Sequence, residues 1–205
     1  MKESITTIKD PYIIGIVSDT HIPDRVHDLH PALLAHLRKR SVDLILHAGD
    51  IAVRSAITSL EQVAPVMAVT GNRDFLLIND YPVSLTLTIH QTVLTLTHGH
   101  LDPATYWRDK FAYITRGYSF ARYQKRLAGA FPDSQVIIYG HTHHAEMVWE
   151  GGQLFFNPGS VSHGDYLDRE PKFGLLKIHK DGRISAQVIP LTGARIEAKE
   201  WVLTA

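Results

Sequence analysis

Tyr12-Ile13-Ile14-Gly15-Ile16-Val17-Ser18-Asp19-Thr20-His21 decides the fold. Six residues that are apolar or glycine read as a buried strand, and the chain then turns at once into polar, metal-competent side chains. The same sentence is written again downstream. Val42 to Leu46 reads as a strand and runs into His47-Ala48-Gly49-Asp50. Val66 to Val69 reads as a third and runs into Gly71-Asn72-Arg73-Asp74. Between them, Val26 to Arg40 has Leu29, Leu33, Leu34 and Leu37 on one helical face with Pro31 in its first turns, and Ala52 to Val63 reads as a second helix. Strand-helix-strand-helix-strand predicts parallel pairing through right-handed crossovers.

Further on the period changes. Val83 to Ile89 alternates, Val93 to Thr97 largely does, and the turn around His90-Gln91-Thr92 makes them an antiparallel hairpin. Gln135 to Tyr139 is another apolar strand. Hairpins are expected for Ala145–Trp149 with Gln153–Phe156 about Glu150-Gly151-Gly152, and for Phe173–His179 with Ile184–Ile189 about Asp181-Gly182. Two packed sheets with outer helices, as one domain over 1–205, is the simplest architecture. Met1 to Pro11 is polar and is assigned no element.

The chain has 205 residues, 44% hydrophobic and 20% charged, with a formal net charge of zero. That composition is ordinary for a globular protein able to bury roughly 70% of its unfolded surface. There is no cysteine, so disulfides, thiolate sites and cysteine nucleophiles are excluded. The neutral balance argues against a dedicated nucleic-acid binder. No apolar run approaches the ~20 residues that span a bilayer, and the N-terminus has no signal-peptide core, so the expected location is the cytoplasm. Histidine stands out at 13 residues.

Strand ends carry the chemistry. The second hairpin strand runs into Thr97-His98-Gly99-His100, and the next into Gly140-His141-Thr142-His143. The carboxyl ends of strands form the ligand crevice of open α/β sheets. Five exits therefore bring Asp19, His21, Asp50, Asn72, His98, His141 and His143 to one rim. Oxygen and imidazole donors without sulfur suit manganese, iron, zinc, cobalt or nickel, and the histidines argue against calcium or magnesium. Seven donors exceed the needs of one tetrahedral ion, whereas two ions sharing a carboxylate use them all.

Asp19-x-His21, Gly49-Asp50, Gly71-Asn72, His98 and Gly140-His141-x-His143 stand in the order of the calcineurin-like metallophosphoesterases, which the chain resembles over about residues 12–190. Asn157-Pro158-Gly159-Ser160 resembles the small bacterial and archaeal phosphodiesterase branch. The resemblance implies a four-layer α/β/β/α sandwich of two mixed sheets flanked by helices. It implies two divalent ions, manganese first among the candidates, with Asp19, His21 and His143 on one, Asn72, His98 and His141 on the other, and Asp50 between. Such a pair, about 3.5–4 Å apart, activates water for in-line attack on a phosphate mono- or diester. Two rivals are a non-catalytic scaffold on the same fold, as in the retromer subunit of the superfamily, and a nuclease.

Relatives often carry histidine directly after the asparagine; here that position is Arg73. An arginine is a poor proton donor and a good phosphate fork. Arg73 is expected on the phosphoryl group, with leaving-group protonation by water or His100. Other histidines are expected to be bland: His47 in the core, His27, His30 and His36 at the surface or capping, His144 outward, and His163 either behind the ligands or exposed. Asp74 is expected to pair with Arg73 or to fix its loop.

About residues 102–131 lies a helical insertion. From Tyr106 to Arg126 it carries six Lys or Arg, one acid and seven aromatics. Trp107, Phe111, Ile114, Tyr118 and Ala121 form a stripe expected to face the core. Tyr106, Tyr113, Phe120 and Tyr123 form a second, and Arg108, Arg122 and Arg126 a basic face; a helix break at Gly117 would spoil these faces. The insertion reads as a lid on an aromatic or nucleotide-like leaving group of a small phosphate ester, or as a homo-oligomer interface, the second being favoured.

Overall fold

A computed structural model describes residues 1–74, 80–164 and 169–204. Parallel strands β2 (Tyr12–Val17), β3 (Leu44–His47) and β4 (Val66–Ala68) form one side of a sheet, with helices α1 (Leu33–Lys39) and α2 (Arg54–Glu61) in the crossovers. The hairpin of β10 (Lys172–Ile178) and β11 (Ile184–Pro190) adds antiparallel to β2, giving the order β11-β10-β2-β3-β4. The second sheet runs β1 (Lys2–Ile5), β5 (Ser84–Ile89), β6 (Thr92–Thr97), β7 (Val136–Ile138), β9 (Gln153–Asn157) and β8 (Glu146–Glu150).

Alternation along the strands sorts the side chains into layers. Ile14, Ile16, Leu44 and Leu46 face Leu87, Leu94, Leu96, Val136 and Phe156 of the other sheet, making the central core. On the outer face of the first sheet, Val17, Ile45, Phe173 and Leu175 pack on Leu33 and Leu37 of α1. Gly15 lets the helix approach, since a Cβ there would sit 2.6 Å from Leu37 Cδ2. On the outer face of the second sheet, Ile137, Tyr139 and Phe155 pack on Tyr123 and Leu127. These belong to α4 (Phe120–Ala130), which follows α3 (Pro103–Arg116). The result is the expected α/β/β/α sandwich.

Several expectations need correction. The helix expected over Val26–Arg40 is only α1. The residue before a proline is pushed out of the α region, so His30-Pro31 blocks the earlier turns, and Leu33 N instead closes a turn on His30 O at 2.9 Å. His30 is not a surface residue: it is buried with its ring 4.6 Å from Trp201. Trp201 lies on β13 (Glu200–Leu203), which pairs with β12 (Ala194–Glu197) in a third, two-stranded sheet that sequence reading overlooked. Met1 to Pro11 includes β1, an edge strand parallel to β5, whose half-buried Ile5 reaches the central core. Gly117, at φ 73°, ends α3. The stripe expected to face the core is then exposed: Trp107 at 64%, Phe111 at 71% and Ile114 at 74%. The second stripe divides, with Tyr123 buried and Tyr113 exposed.

Candidate metal centre

The seven proposed donors lie on loops that leave the ends of β2, β3, β4, β6 and β7, and five of them have left-handed backbone. Asp19 (φ 55°), His21 (52°), Asp50 (55°), His141 (71°) and His143 (60°) all sit where side-chain-bearing residues are uncommon. Such conformations persist where the surroundings hold them. Here Asp19 N donates to Gly49 O at 3.1 Å and His21 N to Asp50 O at 3.1 Å, stitching the first two loops together. Ser160 Oγ and Ser162 Oγ both donate to Asp19 O at 2.8 Å. The neighbouring glycines are forced by space: a Cβ on Gly71 would lie 2.2 Å from Asp50 N, and one on Gly140 2.0 Å from Ser18 Oγ.

The side chains fall into two sets about Asp50. Around Asp19 Oδ1 lie His143 Nε2 at 3.4 Å and His21 Nε2 at 3.7 Å, and His21 Nε2 is 3.7 Å from Asp50 Oδ2. The two imidazole nitrogens are themselves 3.1 Å apart. On the other side, Asn72 Oδ1 is 3.1 Å from His98 Nε2 and 2.9 Å from His141 Nδ1, and His98 Nε2 is 3.4 Å from Asp50 Oδ1. His100 joins this set, its ring nitrogen within 4.8 Å of those of His98 and His141.

Tautomers are held from behind. His98 Nδ1 donates to Ala48 O at 2.7 Å and His143 Nδ1 to His163 O at 2.8 Å, leaving each Nε2 turned inward. His163 therefore contributes its carbonyl behind a proposed ligand.

Burial opposes every charge here, so the shifts show which partners win. For Asp50 burial works upward, yet the charge and hydrogen bond of His98 hold its carboxyl down to about 2. For Asp19, burial is likewise overcome by His143, and the pKa lies well below the usual carboxylate range. Burial works against protonated His98, but Asp50 lifts it to about 9. Desolvation dominates His21, pushed down to about 4, and His141, pushed down to about 3. The residues fit divalent cations: two carboxylates, His21 and His98 are buried together with half-buried His141 and His143 beside them, and buried Asp19 Oδ1 has no hydrogen-bond donor. A buried acceptor left without a donor is costly unless a cation faces it.

Arg73 stands at the rim, half exposed, and pairs with Asp24 at 2.6 Å. Its backbone N–H donates to Asp50 Oδ1 at 2.8 Å. Asp74 does not pair with it but fixes the loop, accepting from Ala52 N and Gly71 N, both at 2.7 Å. His100 is pushed down to about 4 by burial and then by His98, so near neutral pH it carries an N–H rather than a mobile proton. His47 is a core residue, its Nδ1 accepting from Gly49 N at 3.2 Å. His144 stacks on Tyr118 at 4.0 Å. A cleft of about 550 Å³ opens from His141 and His143 toward α3, and a second of about 560 Å³ opens from Asn72 and His100, with Tyr106 and Arg73 in both walls.

Residues 13–181 match the calcineurin-like phosphoesterase superfamily domain. The chain is 33% identical to a probable metallophosphoesterase of Methanothermobacter thermautotrophicus over 90% of its own length and 95% of the relative's. It is 31% identical to one of Methanocaldococcus jannaschii over 87% and 81%. Among solved structures it is similar to vacuolar protein sorting 29 of Cryptosporidium parvum, with a TM-score of 0.64 and 19% identity over 89% of this chain and 98% of that one. It is also similar to Vps29 of Entamoeba histolytica complexed with zinc, at 0.62 and 24% over 88% and 99%. These two likenesses show the fold.

Proposed function

The chain belongs to the calcineurin-like phosphoesterase superfamily, and we propose that it is a hydrolase of phosphate mono- or diesters working with two divalent ions. Asp19, His21 and His143 hold one ion, Asn72, His98 and His141 the other, and Asp50 lies between them, within a single domain. One observation carries this reading: the two sets of inward donor atoms on either side of Asp50, with Asp19 Oδ1 left without a donor. Manganese is the first candidate; the Entamoeba neighbour was solved with zinc.

When bound, the ions supply a lowered pKa for water and positive charge against phosphoryl oxygens. The protein's own residues do the rest. Asp19 and Asp50 return two negative charges of four, so the centre stays attractive to phosphate. Ala48 O and His163 O orient His98 and His143. Arg73 swings between Asp24 and the phosphoryl group as a fork. His100 offers an N–H toward the phosphate or the leaving oxygen, and water supplies the proton. With no strong acid at hand, esters with acidic leaving groups, such as aryl phosphates, are favoured.

The rival reading is a scaffold, as Vps29 neighbours share the fold. Intact donor sets favour hydrolysis. Hydrolysis of bis(p-nitrophenyl) phosphate and p-nitrophenyl phosphate with manganese, after chelation, and with Asp50→Asn tests this. The expected result is activity abolished by chelator and lowered in the variant by more than the roughly 100-fold that outer-shell changes cost. Metal-independent turnover, or none with any divalent ion, refutes it. Trp107, Phe111 and Ile114, one turn apart and exposed, support self-association through α3; a monomer in sedimentation at high concentration removes that part. No described helix is long and apolar enough to cross a membrane, and the cytoplasm is the proposed location.

A further inference from the structure

The cleft that opens from His141 and His143 has a composition that the hydrolysis of a phosphate group does not explain. One wall comes from α3 and the turn after it, where Tyr106, Tyr113 and Tyr118 line the space. Around it stand Arg25, Lys110 and Arg169, beyond Arg73. Among the described lining residues the one acid, Asp109, is buried and paired with Arg126 at 2.7 Å. Four cationic side chains, Arg25, Arg73, Lys110 and Arg169, thus share one cleft lining in a chain of zero net charge.

Two of these tyrosines, Tyr106 and Tyr118, are also held in place before any ligand arrives. Tyr118 stacks on His144 and donates its hydroxyl to Glu146. Tyr106 stands edge-on to His141 at 5.8 Å, with Lys110 Nζ 5.8 Å from its ring centroid. Rings fixed in advance give flat ligands a stacking surface at little entropic cost. At about 550 Å³ the cleft suits one small-molecule arm.

We propose that this cleft is a subsite for a nucleotide-class arm of the substrate: an aromatic base against Tyr106, Tyr113 and Tyr118, and a second phosphate, remote from the reacting one, on Arg25 and Arg169. The position of the reacting phosphate rests on the hydrolase reading above; the recognition of base and second phosphate does not. A polynucleotide is the competing occupant, since aromatic and basic residues also stack single strands.

The test separates binding from catalysis. In chelator, thymidine 3′,5′-bisphosphate is titrated into the full-length protein by calorimetry, beside thymidine, inorganic phosphate and oligothymidylates of increasing length. The bisphosphate should bind at least about tenfold tighter than thymidine or phosphate, and Tyr113→Ala with Arg169→Ala should remove about tenfold. Tyr113→Phe should restore the base's share. Both side chains are exposed, so folding is not at stake, and circular dichroism checks it. Equal affinities in wild type and variants overturn the subsite. So does affinity that climbs with oligonucleotide length, in favour of a strand-binding groove. With manganese, the ratio of kcat/KM for thymidine 5′-(p-nitrophenyl phosphate) over ethyl p-nitrophenyl phosphate should exceed about ten and collapse in the double variant. Hydrolysis without that discrimination sinks the subsite and spares the hydrolase. The binding pattern without any hydrolysis does the reverse.

Discussion

His98 concentrates the electrostatics of the centre in one ring. Asp50 lifts it to about 9 against burial, so without metal it is protonated at neutral pH. That pairing stabilises the metal-free fold fully below the unfolded value of about 6.5 and is lost as pH rises through about 9. His21, His47 and His141 run the other way. Burial lowers them to about 4, 3 and 3, so the unfolded chain takes up protons first and stability falls as pH drops below about 6.5. The proposed coordination by His98 would displace its proton, so metal affinity is expected to rise with pH. Calorimetry of manganese binding near pH 7.5, repeated in buffers of different ionisation enthalpy, should show at least one proton released per loaded chain. Proton-neutral loading would mean that His98 stays outside the coordination sphere. The donor types could be read from the sequence because each follows an apolar run at a strand end. Their orientation could not: nothing in Asp19-Thr20-His21 announces left-handed backbone, and the pairing of Asp74 with two loop amides instead of Arg73 depends on a fold already in place.

Helices α3 and α4 show how one buried ion pair ties an element to the site. Asp109 on α3 pairs with Arg126 on α4, and Arg126 Nη2 donates to Gly99 O at 2.9 Å, between His98 and His100. Removing one partner leaves the other charge buried, at a cost of about 3–5 kcal/mol, while replacing both by apolar groups of similar size costs far less. Arg126→Met should therefore raise amide exchange through α3 and α4, and Asp109→Leu with Arg126→Met should recover most of the protection. Equal exchange in single variant, double variant and wild type would show that the pair holds nothing. The existence of this helical segment was legible from its periodicity, but its faces were not. Gly117 resets the rotation between the two helices, and a stripe at spacings of four, three, four and three then points two ways. In the same way β1 escaped notice because an edge strand of four mostly polar residues has no period long enough to read.

Over the whole molecule, two mixed sheets pack so that the ends of five strands from both meet at one rim, and the proposed centre straddles the join. β2, β3 and β4 bring Asp19, His21, Asp50 and Asn72; β6 and β7 bring His98, His141 and His143. Parallel pairing in the first half and hairpins in the second followed from periodicity, so the layers could be drawn from sequence. The hairpin β12–β13 could not, because its role comes from tertiary contacts: Trp201 packs on buried His30 and donates Nε1 to Asp28 O at 2.8 Å, and His27 N donates to Lys199 O at 3.0 Å. Metal content at equilibrium probes the join of the two sheets most directly. Protein dialysed to equilibrium against manganese, with protein and outer buffer both assayed by plasma mass spectrometry, should hold two ions per chain in excess of the buffer, falling to one or none in Asp50→Asn. A wild type that retains fewer than one ion with manganese, zinc, iron, cobalt or nickel alike would contradict the account.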